Sequence, residues 1–405
     1  MIRSIFIGLA LLFGAGAHAE LALLPAKVKL SGTKSHQQLL AVDLREGASV
    51  GSVGSVRYAS GNPKIAEVDK AGRISPKANG KAIIIARLGK QTAKTTVTVT
   101  GMDAKHGWSF RNHVLPVLSK QGCNMGACHG ALAGKGGFRL SLRGYDPEDD
   151  HYNITRDARG RRIELAAPAR SLLLTKPTVA VKHKGGRRLD VASADYELLA
   201  EWIVYGAKPP KSDDATLERL EVFPKQMILK RGAKHRLSVR AVYSDGREED
   251  VTRWAKFGST DATVAEVDER TGELNVIGYG EGAITVWFST QVVIARVIAP
   301  YENKLPKELF AKAARANFID ELVLNQLQRL NLKPSSRSND PEFLRRVYLD
   351  TIGKMPTTAE TRAFLADKSA DKRKRLIDSL LARAEFVDYW TYRWADVFLI
   401  NGRLL

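Results

Sequence analysis

The sequence predicts a multidomain protein with two all-β sandwiches, a small all-α domain between them and an all-α domain at the C-terminal end. Three observations predict it. A chain of 405 residues exceeds one ordinary core. A β-rich pattern with the same punctuation occurs twice, over residues 20–101 and 216–300. The stretches 103–210 and 306–405 drop strand alternation for helical spacing.

In chain order, residues 1–19 have the layout of a secretory signal peptide. Arg3 lies near the start, an apolar run extends from Ile5 to Phe13, and Ala17-His18-Ala19 forms a small-residue cleavage site. The run is too short to span a bilayer. No later stretch reaches the roughly 18 uninterrupted apolar residues a spanning helix needs, so no transmembrane segment is expected after cleavage. Export to the periplasm or the cell surface follows. The chain carries 63 Lys and Arg against 44 Asp and Glu, a net charge of +19. No nucleic-acid recognition motif accompanies that charge, and export argues against such a partner. An acidic redox partner protein, an acidic wall or matrix polysaccharide, or an anionic membrane suits an exported basic chain better. A solvated basic face with no specific partner is the plain alternative.

Residues 20–101 contain short β-rich segments, Val28–Leu30, Gln38–Asp43, Ala82–Leu88 and Thr95–Thr100, separated by Gly, Ser, Pro and Asn. Residues 216–300 repeat them. Asn62-Pro63-Lys64-Ile65-Ala66-Glu67-Val68-Asp69 aligns with Asp261-Ala262-Thr263-Val264-Ala265-Glu266-Val267-Asp268. Gly72 then aligns with Gly272, the turn Asn79-Gly80 with Gly280-Glu281-Gly282, and the strand Ala82–Leu88 with Ala283–Phe288. Alternation within Ile65–Asp69 places apolar residues on one face, as a sandwich core requires. Both copies resemble the bacterial Ig-like group 2 domain, in which an x-V-A-x-V-D stretch, a glycine turn and a G-x-A-x-I-T-V strand recur. The resemblance implies a spacer or adhesive module of the cell surface, although a sandwich alone states no function. Asp245-Gly246 reads as a hairpin turn rather than part of a calcium loop.

The central stretch, residues 103–210, holds both cysteines of the chain, within Gly122-Cys123-Asn124-Met125-Gly126-Ala127-Cys128-His129-Gly130. Covalent haem attachment needs two thiols to add to two vinyl groups and an imidazole on the next residue to reach the iron. Cys123, Cys128 and His129 supply that order. Four residues separate the cysteines where C-x-x-C-H has two, so the match is to a rarer spacing. Exported thiols also form disulfides, which keeps a structural Cys123–Cys128 pair open. Structural zinc would want a fourth ligand beside these three. Before the pair, Phe110, Val114 and Leu118 stand at helical spacing over Trp108–Leu118. After it, Ser193 can cap a helix whose stripe is Tyr196, Leu199, Trp202 and Ile203, stopped by Gly206.

Together with Val114-Leu115-Pro116-Val117-Leu118, Phe138-Arg139-Leu140-Ser141-Leu142, Arg170-Ser171-Leu172-Leu173-Leu174 and the closing run Glu201–Ala207, the cysteine segment resembles the planctomycete-type cytochrome c domain. The resemblance implies one covalent haem c, with Cys123 and Cys128 as the thioether positions and His129 as the proximal iron ligand. In related domains a Met within an M-P-P run takes the sixth position. The corresponding run here is Val181–Gly186, and its His183 becomes the distal iron ligand. His106, His113 and His151 are further candidates, and an open or water-bound iron is the last alternative. Met125 sits inside the attachment loop on the proximal side, and Met102 precedes the domain. The axial pair decides the chemistry. His in place of Met lowers the potential, and a filled sixth position leaves no site for peroxide or dioxygen. Cations between Arg156 and Arg188 can meet haem propionates or an acidic partner.

After Pro300 the period becomes 3.6. One helix has Phe318, Leu322, Asn325 and Arg329 on one side and an apolar stripe of Ile319, Leu322, Val323, Gln326, Leu327 and Leu330. A second starts where Asp340 caps and Pro341 takes the first turn. Others follow Thr357 and Asp371, and Glu385–Ile400 is dense in aromatic residues. The runs Asp340–Asp350, Gly353–Thr357 and Asp371–Leu381 resemble an uncharacterised helical domain found downstream of cytochrome and Ig-like modules in large exported planctomycete and verrucomicrobial proteins. Members continue past this point, so the resemblance implies an incomplete C-terminal domain. Arg345, Arg346, Asp350 and Trp394 read as an amphipathic surface with a core Trp rather than as a site, and no nucleophile–base pair or phosphate loop is visible. The expected function is one-electron transfer through a single haem c at the cell envelope, with no catalytic residues. The alternatives are a cell-surface adhesive or polysaccharide-binding Ig-like protein with a structural cysteine pair, and a haem enzyme with an open iron site.

Overall fold

Strand alternation builds the β-modules. In Gln91–Thr100 the buried positions are Ala93, Thr95, Val97 and Val99 while the residues between them face outward, the period-2 pattern of a half-buried strand. The computed structural model describes residues 19–104, 107–306 and 308–400; residues 1–18 of the expected signal peptide, and His106, lie outside the described residues. The chain divides into two units, Met1–Leu332 and Lys333–Leu405.

Within the first unit each repeat makes the same sheets. In the first repeat, Lys27–Ser31, Gln91–Thr100, Gly80–Leu88 and Arg57–Ser60 pair in that spatial order. In the second, Gln226–Ile228, Gln291–Ala299, Gly280–Phe288 and Lys256–Ser259 do the same. Asp245-Gly246 turns the hairpin between Ser238–Tyr243 and Glu248–Asp250, with Gly246 at φ +76°, a conformation glycine adopts without steric cost. Sequence reasoning treats the sandwiches as separate. They are not: Ser49 in Ala48–Ser52 pairs in parallel with Met227, so three strands of the first repeat and four of the second form one seven-stranded sheet.

The central module is built on helices. Phe110–Val114 forms a wide turn leading into α1 (Leu115–Lys120), α2 is Pro147–Thr155, and α3 is Ala194–Val204. Ser193 caps α3 by accepting from Tyr196 N, and Gly206 at φ +90° ends it. Phe110, Val114, Leu118, Leu198, Leu199, Trp202 and Ile203 are buried together. The stripe of α3 therefore runs through Leu198 rather than Tyr196, which is only half-buried.

The last helix of this unit, α4 (Phe318–Arg329), departs from the expected stripe. Leu324 is its buried residue, while Phe318, Ile319, Leu322 and Val323 are exposed. Polar contacts set this orientation, since Gln326 Nε2 donates to Glu281 Oε2 at 2.7 Å and Tyr301 N donates to Leu330 O at 2.9 Å.

The second unit contains α5 (Asp340–Ile352), α6 (Thr358–Ala366), α7 (Lys372–Leu381) and α8 (Ala384–Val397) around Leu344, Tyr348, Ile352, Phe364 and Leu380. The cap of α5 is Asn339, which accepts from Glu342 N at 2.9 Å. Asp340 instead pairs with Lys372 and Arg373. Trp394 is not a core residue. It is 53% exposed because α8 meets α5 through Trp390, whose Nε1 donates to Thr351 O, and Trp394 stacks outward on Phe398.

Candidate functional site

Backbone hydrogen bonds wind the cysteine segment into a closed loop at the end of α1. Cys123 N donates to Leu118 O at 2.9 Å, Cys128 N to Met125 O at 2.8 Å, and His129 N back to Cys123 O at 2.9 Å. The closure depends on Gly130, where a Cβ would lie 2.2 Å from Asn124 O. Both cysteines are free thiols, and burial pushes the Cys123 thiol up to about 12.

Cys123, Cys128, His129 and His183 border one cavity of about 710 Å³, inside the about 300–1,000 Å³ range of ligand pockets. Val117, Leu118, Leu140, Leu173, Leu189 and Leu199 make its walls apolar. Lys135, Arg161, Arg162, Lys176, Lys182, Lys184 and Arg188 also line it, and among the described residues no carboxylate does.

The two histidines are prepared alike. Nδ1 of His129 lies 2.9 Å from Phe138 O, and Nδ1 of His183 lies 2.8 Å from Gly186 O. A carbonyl only accepts, so each Nδ1 carries the proton and each Nε2 keeps its lone pair. Burial holds the His129 imidazole below its usual pKa, which favours the neutral ring. The ring centres are 6.4 Å apart and the planes differ by 15°. Gly185 lets the distal ring lie against the chain, since a Cβ there would fall 2.7 Å from His183 Cε1. Among the described residues no group of three or more His, Cys, Asp or Glu side chains is placed to hold a metal.

The other candidates lie elsewhere. His113 pairs with Glu249, and His151 Nε2 donates to Ala207 O at 2.8 Å beside Phe110 and Trp202. Neither borders the cavity. Met102 packs on the first β-module. Sequence reasoning placed Arg162 only among the cations between Arg156 and Arg188, which can meet propionates or an acidic partner, and gave Gly185 and Phe138 no role of their own; the one local signal was the Gly185-Gly186 pair directly after a histidine and a lysine.

The family model of bacterial Ig-like domain (group 2) matches residues 24–99. PSCyt2, a protein of unknown function (DUF1549), matches residues 318–403. No curated protein matches the chain. Among solved structures, the surface layer protein SbsC, domains 1–6, is 12% identical over 71% of this chain and 28% of its own, at a TM-score of 0.18. SbsC domains 5–6 are 12% identical over 70% of this chain and 98% of their own, at 0.28. The C-terminal 282-residue fragment of intimin, in complex with the intimin-binding domain of its translocated receptor, is 11% identical over 89% of each chain, at 0.15. At such identities and TM-scores the likeness says nothing of what this chain binds. No helix among the described residues is long and apolar enough to cross a membrane. The chain thus carries a bacterial Ig-like domain (group 2) on its N-terminal side and a DUF1549 domain on its C-terminal side, and the residues that line the cavity fall between the two matches in the sequence.

Proposed function

We propose that residues 103–210 hold one covalently attached haem c and that the chain transfers single electrons at the cell envelope. The observation that carries the reading is the His129–His183 pair. Their ring centres stand 6.4 Å apart with planes 15° from parallel, both border the cavity that holds the two cysteines, and each Nδ1 is taken by a carbonyl, so Nε2 is the nitrogen that would hold an iron. Cys123 and Cys128 border the same cavity as thiols, as thioether attachment requires. The haem would supply a one-electron iron couple. The protein's part is to orient each imidazole through its Nδ1–H, to keep water from the ring faces with leucine walls, and to meet negative charge with seven cations at the cavity. Those cations suit haem propionates and an acidic redox partner. His129 and His183 are the residues that would hold the iron, and with both engaged the chemistry supplied would be electron transfer rather than activation of a bound ligand.

A second reading is favoured by the Ig-like match over residues 24–99, namely a surface protein whose β-modules carry the function by binding a protein or a wall polysaccharide. It supports a place outside the cytoplasm on either view. The full chain, expressed in a periplasm competent for haem c maturation, separates the two. One haem mass on the peptide bearing Cys123 and Cys128, with a low-spin visible spectrum, is expected. Two unmodified thiols or a Cys123–Cys128 disulfide would leave the surface-protein reading.

A further inference from the structure

The loop that follows the His129 imidazole is held by few bonds of its own, Gly134 N to Ala131 O at 2.9 Å and Phe138 N to Lys135 O at 3.5 Å, and is tied back by Leu140 N to His129 O at 2.7 Å. Between His129 and Phe138 it contains Gly134, Gly136 and Gly137 at φ +63°, +65° and +73°, and Leu132 is 90% exposed. Yet the carbonyl that orients the His129 ring belongs to Phe138, at the far end of that loop. A buried guanidinium holds this end. Arg162 is 5% exposed. Its Nη1 donates to Asn153 O at 2.8 Å, Asp157 O at 3.1 Å and Asp157 Oδ2 at 3.0 Å, and its Nη2 to Gly137 O at 3.3 Å. Its Cζ lies 4.4 Å from the centre of the Phe138 ring, a cation–π contact, and that ring is centred 4.6 Å from His129. Arg162 also borders the cavity, and its own carbonyl accepts from Leu173 N at 3.1 Å.

We infer that Arg162 is a positioning residue for His129. It pins Gly137 and Phe138 to the C-terminal end of α2, fixes the plane of the imidazole through the Phe138 carbonyl, and places a buried positive charge at the cavity wall. The inference rests on the haem reading. Two effects follow, and they are separable. The fork sets the angle between the two imidazole planes. The charge disfavours the more positive, oxidised iron and so raises the reduction potential.

The test uses the full haem-loaded chain, with Arg162→Met, which keeps length and bulk, and Arg162→Lys, which keeps charge without the fork. Electron paramagnetic resonance of the oxidised protein reads the angle between axial imidazole planes, and a redox titration reads the potential. Arg162→Met should replace one low-spin species by several and shift the oxidised-to-reduced ratio at fixed poise about tenfold toward oxidised, ~59 mV for one electron. Arg162→Lys should recover most of the potential and not the single species. An Arg162→Met protein with the parent spectrum and the parent potential overturns the inference. If that variant does not fold, Arg162→Lys decides alone, since an unchanged single species there is equally fatal. A parent chain without covalent haem defeats the haem reading instead, and mass measurement tells the two failures apart.

Discussion

His113 Nε2 in the central module lies 3.1 Å from Glu249 Oε2 in the second β-module, and the side chains are only 5% and 17% exposed. Arg247 Nη1 contacts the other carboxylate oxygen at 2.5 Å. Burial alone would raise the Glu249 pKa, but His113 and Arg247 outweigh it and hold the carboxyl at about 2. The junction between the modules is therefore electrostatic as well as apolar. Because the folded value lies below the about 4.3 of an unfolded Glu, the stabilisation is complete above that pH and is lost as pH falls toward 2. Acid titration followed by tryptophan fluorescence should show a transition in this window, since Trp254 stacks edge-on with His113 at 5.8 Å. Glu249→Gln should flatten it, and an unchanged acid profile would refute the assignment.

Asp250 joins the two sandwiches. It is 6% exposed and accepts from Gln38 N at 2.7 Å and Gln37 Nε2 at 3.2 Å across the module boundary. Asp250→Ala leaves the Gln38 amide without its acceptor, and each lost bond to a charged partner costs ~1.5–3 kcal/mol. Calorimetry of the parent should show the two β-modules unfolding together. The variant should split that transition, and a single transition at the parent temperature would show that the pairing couples nothing.

These two contacts mark the limit of what sequence carried. Local rules made the repeat, the Ser193 cap and the buried Phe110, Val114 and Leu118 legible, because each depends on a period or a neighbour a few residues away. The single seven-stranded sheet depends on Ser49 meeting Met227, and the polar contact between the two β-modules on Gln37, Gln38 and Asp250, residues without period and about two hundred positions apart. Cys123, Cys128, His129 and His183 were nameable from spacing and resemblance. Arg162 was nameable only as one of the cations between Arg156 and Arg188, because one arginine in a basic stretch looks like its solvated neighbours until burial singles it out.

Gly130 and Gly126 offer an internal comparison within the cysteine loop. A Cβ at Gly130 would lie 2.2 Å from Asn124 O, whereas nothing stands within 4 Å of one at Gly126. Gly130→Ala should cost ~1–3 kcal/mol through forced backbone shifts and lower the yield of haem-loaded protein, while Gly126→Ala should be close to neutral. Equal yields and equal melting temperatures would mean that the loop closes differently.

The distal ligand is decided by comparing His183→Ala with His151→Ala. His183 borders the cavity, its Nδ1–H is spent on Gly186 O at 2.8 Å, and its ring lies nearly parallel to that of His129. His151 is as well placed along the sequence but spends Nε2 on Ala207 O and packs against Phe110 and Trp202. On the proposed haem reading, His183→Ala would take away one of the two imidazoles at the cavity without touching the thiols, so covalent haem should remain, the visible spectrum should turn from low-spin to high-spin, and carbon monoxide should bind readily to the reduced protein. His151→Ala should keep the low-spin spectrum and lose stability alone, because the hydrogen bond to the chain after α3 disappears. A His183→Ala protein that stays low-spin would mean another side chain closes the sixth position. A parent that already binds carbon monoxide readily would favour an open iron and a catalytic role for the cavity.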